Sequence, residues 1–178
     1  MKKIILLPIL AIFMALPAFA QRIIYVDSDY ILASIPEYAE AQKKLDAISE
    51  EWRAEIDRRY KEIDELYKAY QAEQVILPDA TKVQRQQEIE NKEKAVKEYQ
   101  KQKFGYEGEL FKKKQEFVKP IQDKIYNEIQ KLAVEKSVDI VLDKASGTSV
   151  LYYNPKLDRS DDIILALGYK PVKTEKKQ

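Results

Sequence analysis

The sequence predicts an α+β fold, mainly α: a small β-containing body that carries a long antiparallel helical hairpin, coiled-coil-like in its patterning. Three observations predict it. Residues 37–77 contain no glycine or proline, and residues 80–119 contain only Gly105 and Gly108, so two long helices can form. Pro78-Asp79 lies between them, where proline cannot continue a helix and aspartate can cap the next one. Runs rich in β-branched residues stand on either side of the helical zone, at residues 22–27 and 138–143.

The chain opens on Lys2 and Lys3, followed by an apolar run over residues 4–16 broken only by Pro8, and then Ala18-Phe19-Ala20. This is the layout of a secretory signal peptide, residues 1–20, with cleavage expected between Ala20 and Gln21. The run is shorter than the roughly 20 residues of a spanning helix. With no cysteine, an N-terminal lipid attached through cysteine is excluded. The mature chain is expected to be soluble outside the cytoplasm.

Arg22-Ile23-Ile24-Tyr25-Val26-Asp27 lacks polar alternation, which suits a strand buried on both faces. Ser28 or Asp29 can cap a short apolar turn over residues 30–35, and Pro36 suits a first helical position, so residues 21–36 begin the body. The arm spans residues 37–119 with its tip near 77–80. On the outgoing helix Leu45, Ile48, Trp52, Ile56, Tyr60, Ile63, Tyr67 and Tyr70 form one narrow stripe at 3.6-residue spacing, drifting from a strict heptad. On the returning helix Val83, Ile89, Val96, Tyr99, Tyr106, Leu110, Phe117 and Ile121 form a stripe. Phe104, Phe111, Val118 and Ile125 form a second line seven residues apart. Gly105 and Gly108 weaken this helix without needing to end it, and Pro120 is expected to kink it. Each helix is roughly 60 Å long at 1.5 Å per residue.

Residues 120–169 complete the body. A helix resumes over 121–135. Val138, Ile140 and Leu142 alternate, and a turn around Gly147 leads to a partner strand over 149–153, which predicts a β-hairpin. Ser160 is placed to cap a short helix containing Ile163, Ile164, Leu165 and Leu167, which Gly168 closes. Residues 170–178 read as a disordered polar tail.

The chain has no histidine and no cysteine, which excludes the common catalytic triads and dyads, thiol chemistry and the usual transition-metal ligand sets. No phosphate-binding glycine loop or nucleophile elbow occurs. The carboxylates are scattered among lysines at helical spacing, as on a solvated face. No enzyme activity, cofactor or metal is expected. The formal charge of +1 becomes about −1 once Lys2 and Lys3 are removed, so nothing points to nucleic acid. Residues 37–79 hold 12 acids and 7 bases, whereas residues 80–119 hold 7 acids and 11 bases. Opposite signs favour pairing of the two helices, although each exposed ion pair contributes only about 0–1 kcal/mol.

A body of about 65 residues rarely stabilises itself alone. Oligomerisation through it is expected, with Ile23, Ile24, Val26, Ile140, Leu142, Val150 and Tyr152 as the contact candidates.

Val26-Asp27, Ile31-Leu32 and Pro36-Glu37 together resemble the start of the Skp/OmpH family of periplasmic chaperones. Further along, the chain resembles that family at Pro120-Ile121-Gln122-Asp123-Lys124-Ile125, Val141-Leu142-Asp143-Lys144, Val150-Leu151-Tyr152 and Asp161-Asp162-Ile163. The resemblance runs in order through essentially the whole mature chain. It implies a jellyfish-shaped homotrimer in the periplasm, whose arms enclose a cavity that holds unfolded outer-membrane β-barrel proteins without ATP. The best-known members have strongly basic arms. Here residues 37–119 carry 19 acids against 18 bases, so no lipopolysaccharide residues are carried over. Transient contact with a membrane surface stays open.

A two-helix hairpin buries one stripe per helix, so the second line on the returning helix should leave aromatics for clients. Phe104 and Phe111 lead the candidates, followed by Tyr67, Tyr70, Tyr99 and Tyr106; each tyrosine offers an apolar ring and a polar tip. Val75-Ile76-Leu77 at the tip either caps the hairpin or adds a contact. The rival reading is a non-catalytic structural coiled-coil adaptor or spacer of the cell envelope, with sealed stripes and one fixed partner.

Overall fold

The strand that opens the body pairs with a segment more than a hundred residues away. A computed structural model describes residues 21–147 and 150–172; the expected signal peptide and the last part of the expected tail lie outside the described residues. Strand β1 (Ile23–Val26) runs parallel to β2 (Ile140–Asp143), with Ile23 beside Ile140 and Val26 beside Asp143. The expected hairpin is therefore replaced. Residues 150–153 form no strand, and Tyr153 instead sets its ring edge-to-face on Tyr25 at 4.8 Å. A parallel pair needs a long crossover, and the whole helical arm supplies it.

Helix α1 (Ser28–Ala33) follows β1 directly. Its cap is Asp27, whose carboxylate accepts the Tyr30 N–H at 3.0 Å, and not Ser28 or Asp29. Helix α2 (Pro36–Glu73) starts on its proline and turns at residues 74–77 into α3 (Asp79–Phe104). The returning helix then breaks. Gly105 to Gly108 separate α3 from α4 (Glu109–Glu135), which runs through Pro120 as one helix. At Gly105 a Cβ would stand 2.3 Å from the Lys101 carbonyl oxygen, so the tight stop of α3 needs glycine there. Helix α5 (Ser160–Ala166) closes the body.

Ser160 does not cap α5 as expected. It is the helix's first residue, nearly fully buried, and its hydroxyl accepts the Asp27 N–H at 2.8 Å while donating to Asp158 at 2.6 Å. This single hydroxyl joins the end of β1 to the start of α5. Asp143 does similar work, accepting the Ser28 N–H at 3.1 Å and the Ser28 hydroxyl at 2.7 Å. Around these links lies the base core: Ile24, Val26, Ile31, Leu32, Ile35, Leu45, Val118, Ile121, Ile125, Ile163 and Ile164.

Two helices of the body end in the same motif. After α5, Gly168 takes φ 87° and the Tyr169 N–H reaches the Ile164 carbonyl at 3.0 Å. After α4, Ser137 takes φ 52° and the Val138 N–H reaches the Ala133 carbonyl at 2.8 Å. Both are left-handed closures that favour glycine. Serine at the second carries the Cβ penalty of that conformation. Ser137→Gly is expected to raise unfolding stability by about 0.5–1 kcal/mol, measurable as a higher urea midpoint with unchanged slope.

The arm's seam differs from the expected stripe by one residue at alternate turns. Leu45, Ser49, Trp52, Ile56, Arg59, Ile63, Leu66 and Tyr70 on α2 are buried or half-buried, with Ile48, Glu55 and Glu62 half-buried beside them. The first set alternates in steps of four and three, which is the 3.5-residue seam of a coiled coil. Tyr60 and Tyr67 are displaced to its flank, 41% and 50% exposed. Arg59 occupies a seam position because its guanidinium lies 4.1 Å over the Tyr99 ring and bonds Glu55 at 2.7 Å. The distal core is Ile56, Ile63, Ile89 and Val96, with Leu66, Tyr70, Tyr99 and Phe104 against it. The charge asymmetry of the two helices produces little direct pairing. Glu62–Lys92, at 3.7 Å, joins α2 to α3, whereas most other arm ion pairs lie within one helix.

Candidate functional site

Among the described residues no group of three or more acidic, histidine or cysteine side chains is placed to hold a metal ion. No helix there is long and apolar enough to cross a membrane. Two of the exposed apolar surfaces concern the candidate residues; Tyr126, Val134 and Leu165 are exposed elsewhere on the body.

The first is the arm. Tyr106, in the break between α3 and α4, is 97% exposed. Phe111 on the first turn of α4 is 46% exposed. Tyr67 and Tyr60 lie seven residues apart on α2, so their rings share one face about 10 Å apart along the axis. Val75 and Ile76 at the tip are almost fully exposed, and Val83 is half-exposed at the start of α3. Several candidates are placed differently. Phe104 packs against the distal core with its ring edge-to-face to Trp52 at 6.0 Å. Tyr70 and Tyr99 pack on the same core. Val118 and Ile125, which share the sequence spacing of Phe104 and Phe111, belong to the base core. The expected free second line does not exist as one face: the break at Gly105 resets the helical phase, and the lower half of α4 is covered by α1 and α5 as well as α2.

Tyr60, which sequence reasoning gave to the stripe with Tyr67 but did not name among the client contacts, is exposed like it. The signal that separates it is the four-three spacing of Ile56, Arg59 and Ile63, which leaves position 60 outside the seam.

The second place is the sheet. Ile23 and Ile140 are register partners and both about two-fifths exposed. Leu151 is fully exposed and Tyr152 three-quarters exposed. Leu142 and Val150 are half-buried. Ile24 and Val26, by contrast, are enclosed in the chain's own base core. Among the described residues the sheet has two strands, so the far edge of β2 carries no neighbour.

Carboxylates bind the body to the arm. The Tyr169 hydroxyl donates to Glu37 at 2.6 Å, which lowers the Glu37 pKa and raises that of Tyr169. Burial, reinforced by a hydrogen bond to Asp161, pushes the Tyr30 phenol up to about 12. The Val172 carbonyl lies 3.2 Å from the same phenol as a second, longer acceptor sharing its one proton, so the chain keeps a contact with the body past residue 170, where a disordered tail was expected to begin. On the arm, hydrogen bonds from Arg58 and Arg59 bring Glu55 down to about 2.

The family described as outer membrane protein (OmpH-like) matches residues 22–167. Among solved structures, a candidate outer membrane chaperone (OmpH-like) from Caulobacter crescentus CB15 is similar in fold. Its TM-score is 0.65 at 17% sequence identity, covering 90% of this chain and 95% of that one. No curated protein sequence matches the chain significantly.

Proposed function

The chain belongs to the OmpH-like family of outer membrane proteins, and from that membership we propose that it is an ATP-independent periplasmic holdase. In this reading it binds unfolded outer-membrane β-barrel proteins between helical arms and prevents their aggregation. Family membership and the shared fold support a chaperone role. The observation that carries the finer reading is the set of exposed apolar side chains along the arm: Tyr60, Tyr67, Phe111, Tyr106 and the tip pair Val75 and Ile76. A spacer would have no use for uncovered rings along its length. Rings with a polar tip suit many weak, adaptable contacts with an extended chain.

The reading also includes a homotrimer, formed on the sheet face. Exposed Ile23, Ile140, Leu151 and Tyr152 beside the open edge of β2 support it, because an uncovered parallel edge invites another chain. Phe104, Tyr70 and Tyr99 are kept as arm-core residues in this proposal.

Affinity capture of the chain from periplasm, followed by mass spectrometry, tests the holdase against the adaptor. Many outer-membrane β-barrel proteins at substoichiometric amounts are expected. One dominant stoichiometric partner would contradict the holdase and favour an envelope adaptor. Light scattering on the same material is expected to give the mass of three copies.

A further inference from the structure

The arm is divided into two cores. The base core ends at Leu45 on α2 and is packed by Leu110 on α4; the distal core begins at Ile56 on α2 and is bounded by Phe104 on α3. Between them the returning backbone is not helical, and α2 alone passes through unbroken. One cation spans this gap. Lys103 on the last turn of α3 bonds the carboxylate of Glu109, the first residue of α4. Its ammonium lies 4.7 Å from the Trp52 ring on α2 and 5.3 Å from the Tyr99 ring on α3. The side chain is only 15% exposed. Gln102 adds a second bond to Glu109 at 3.1 Å.

A lysine this enclosed, held by one carboxylate and two ring faces, interacts more strongly than a surface pair, because both solvent screening and hydration are reduced. It is also the point where all three arm helices meet. Without it, Glu109 loses its cation and keeps only the Gln102 bond across the gap, and α2 is the one helix that passes through unbroken.

We propose that the Gly105–Gly108 break is a joint in the arm and that Lys103 is its latch, an ionic catch that fixes the distal two-helix segment at one angle to the base. Loosening the catch frees the distal segment to swing on α2 while both cores stay packed. The proposal is independent of what the arm binds.

The test uses the full mature chain. It has no native cysteine, so Ala69→Cys and Gln122→Cys place one spin label on the distal segment and one on the base, both at exposed positions. Labelled chains are diluted with unlabelled ones so that distances within a chain are read. Lys103→Gln is expected to broaden the distance distribution about twofold and to raise acrylamide quenching of Trp52, the sole tryptophan, by about twofold, with helix content unchanged. Lys94→Gln, which removes an exposed lysine of the same helix, is expected to change neither. Broadening with Lys103→Gln supports the latch. An unchanged distribution with Lys103→Gln, or equal broadening with Lys94→Gln, overturns it.

Discussion

Replacing Ile31 with alanine is expected to destabilise the chain by about 2–5 kcal/mol. Ile31 is completely enclosed, as are Ile163 and Ile164, and the three belong to one base core with Val26. Helix α1 is only six residues long and α5 only seven, too short to be stable alone. Their order depends on this contact and on the Ser160 hydroxyl that joins β1 to α5. The truncation removes three methyl or methylene groups and leaves a cavity in a region fastened on all sides by the sheet, α4 and α5, where collapse is restricted. Leu165→Ala, at an exposed position on α5, is expected to cost less than about 0.5 kcal/mol. Urea unfolding at one fixed chain concentration measures both. A loss below about 1 kcal/mol for Ile31→Ala would contradict the placement of the core.

Val96→Asp is expected to cost roughly 3 kcal/mol or more and to act on the distal arm alone. Val96 has no exposed surface and sits among Ile56, Ile63 and Ile89. A carboxylate there must be protonated, drag water into the seam or pull the Arg59 guanidinium off Tyr99 and Glu55. Because the base core is separate, hydrogen exchange is expected to lose protection in the distal parts of α2 and α3 while β1, β2, α5 and the lower half of α4 stay protected. Simultaneous loss of protection throughout the chain would contradict the two-core description.

The elements that read clearly in the sequence are those with local causes. The arm, its tip at Pro78 and the closure of α5 at Gly168 follow from proline, glycine and apolar spacing within a few residues. The fold's central pairing is less legible. Ile23 and Ile140 become neighbours only through the folded arm, whereas a local hairpin around Gly147 is the shorter route and so the natural reading. The seam of α2 was obscured by polar residues at apolar places. Ser49 and Arg59 occupy it, and Arg59 fits only because Tyr99 lies opposite, a fact carried by another helix. The exposure of the candidate client contacts was legible for some residues and not for others. Phe111, Tyr67 and Tyr106 are exposed, while Phe104 packs on Trp52 because α3 stops at Gly105. The helix ends at Gly105, which approaches the Lys101 carbonyl too closely for any side chain, where its sequence predicts only a weakening.

The most direct test of the holdase reading dilutes a urea-unfolded outer-membrane β-barrel protein into buffer without ATP and follows light scattering. The wild-type chain is compared with the fourfold variant Tyr60→Ser, Tyr67→Ser, Tyr106→Ser and Phe111→Ser, all at exposed positions that leave both cores intact. Near-complete suppression of aggregation by the wild type and a loss of about tenfold in potency for the equally stable variant are expected, in line with the removal of several weak aromatic contacts. Aggregation that proceeds equally with and without the wild-type chain would contradict the holdase, and undiminished suppression by the variant would contradict the arm surface as its client site.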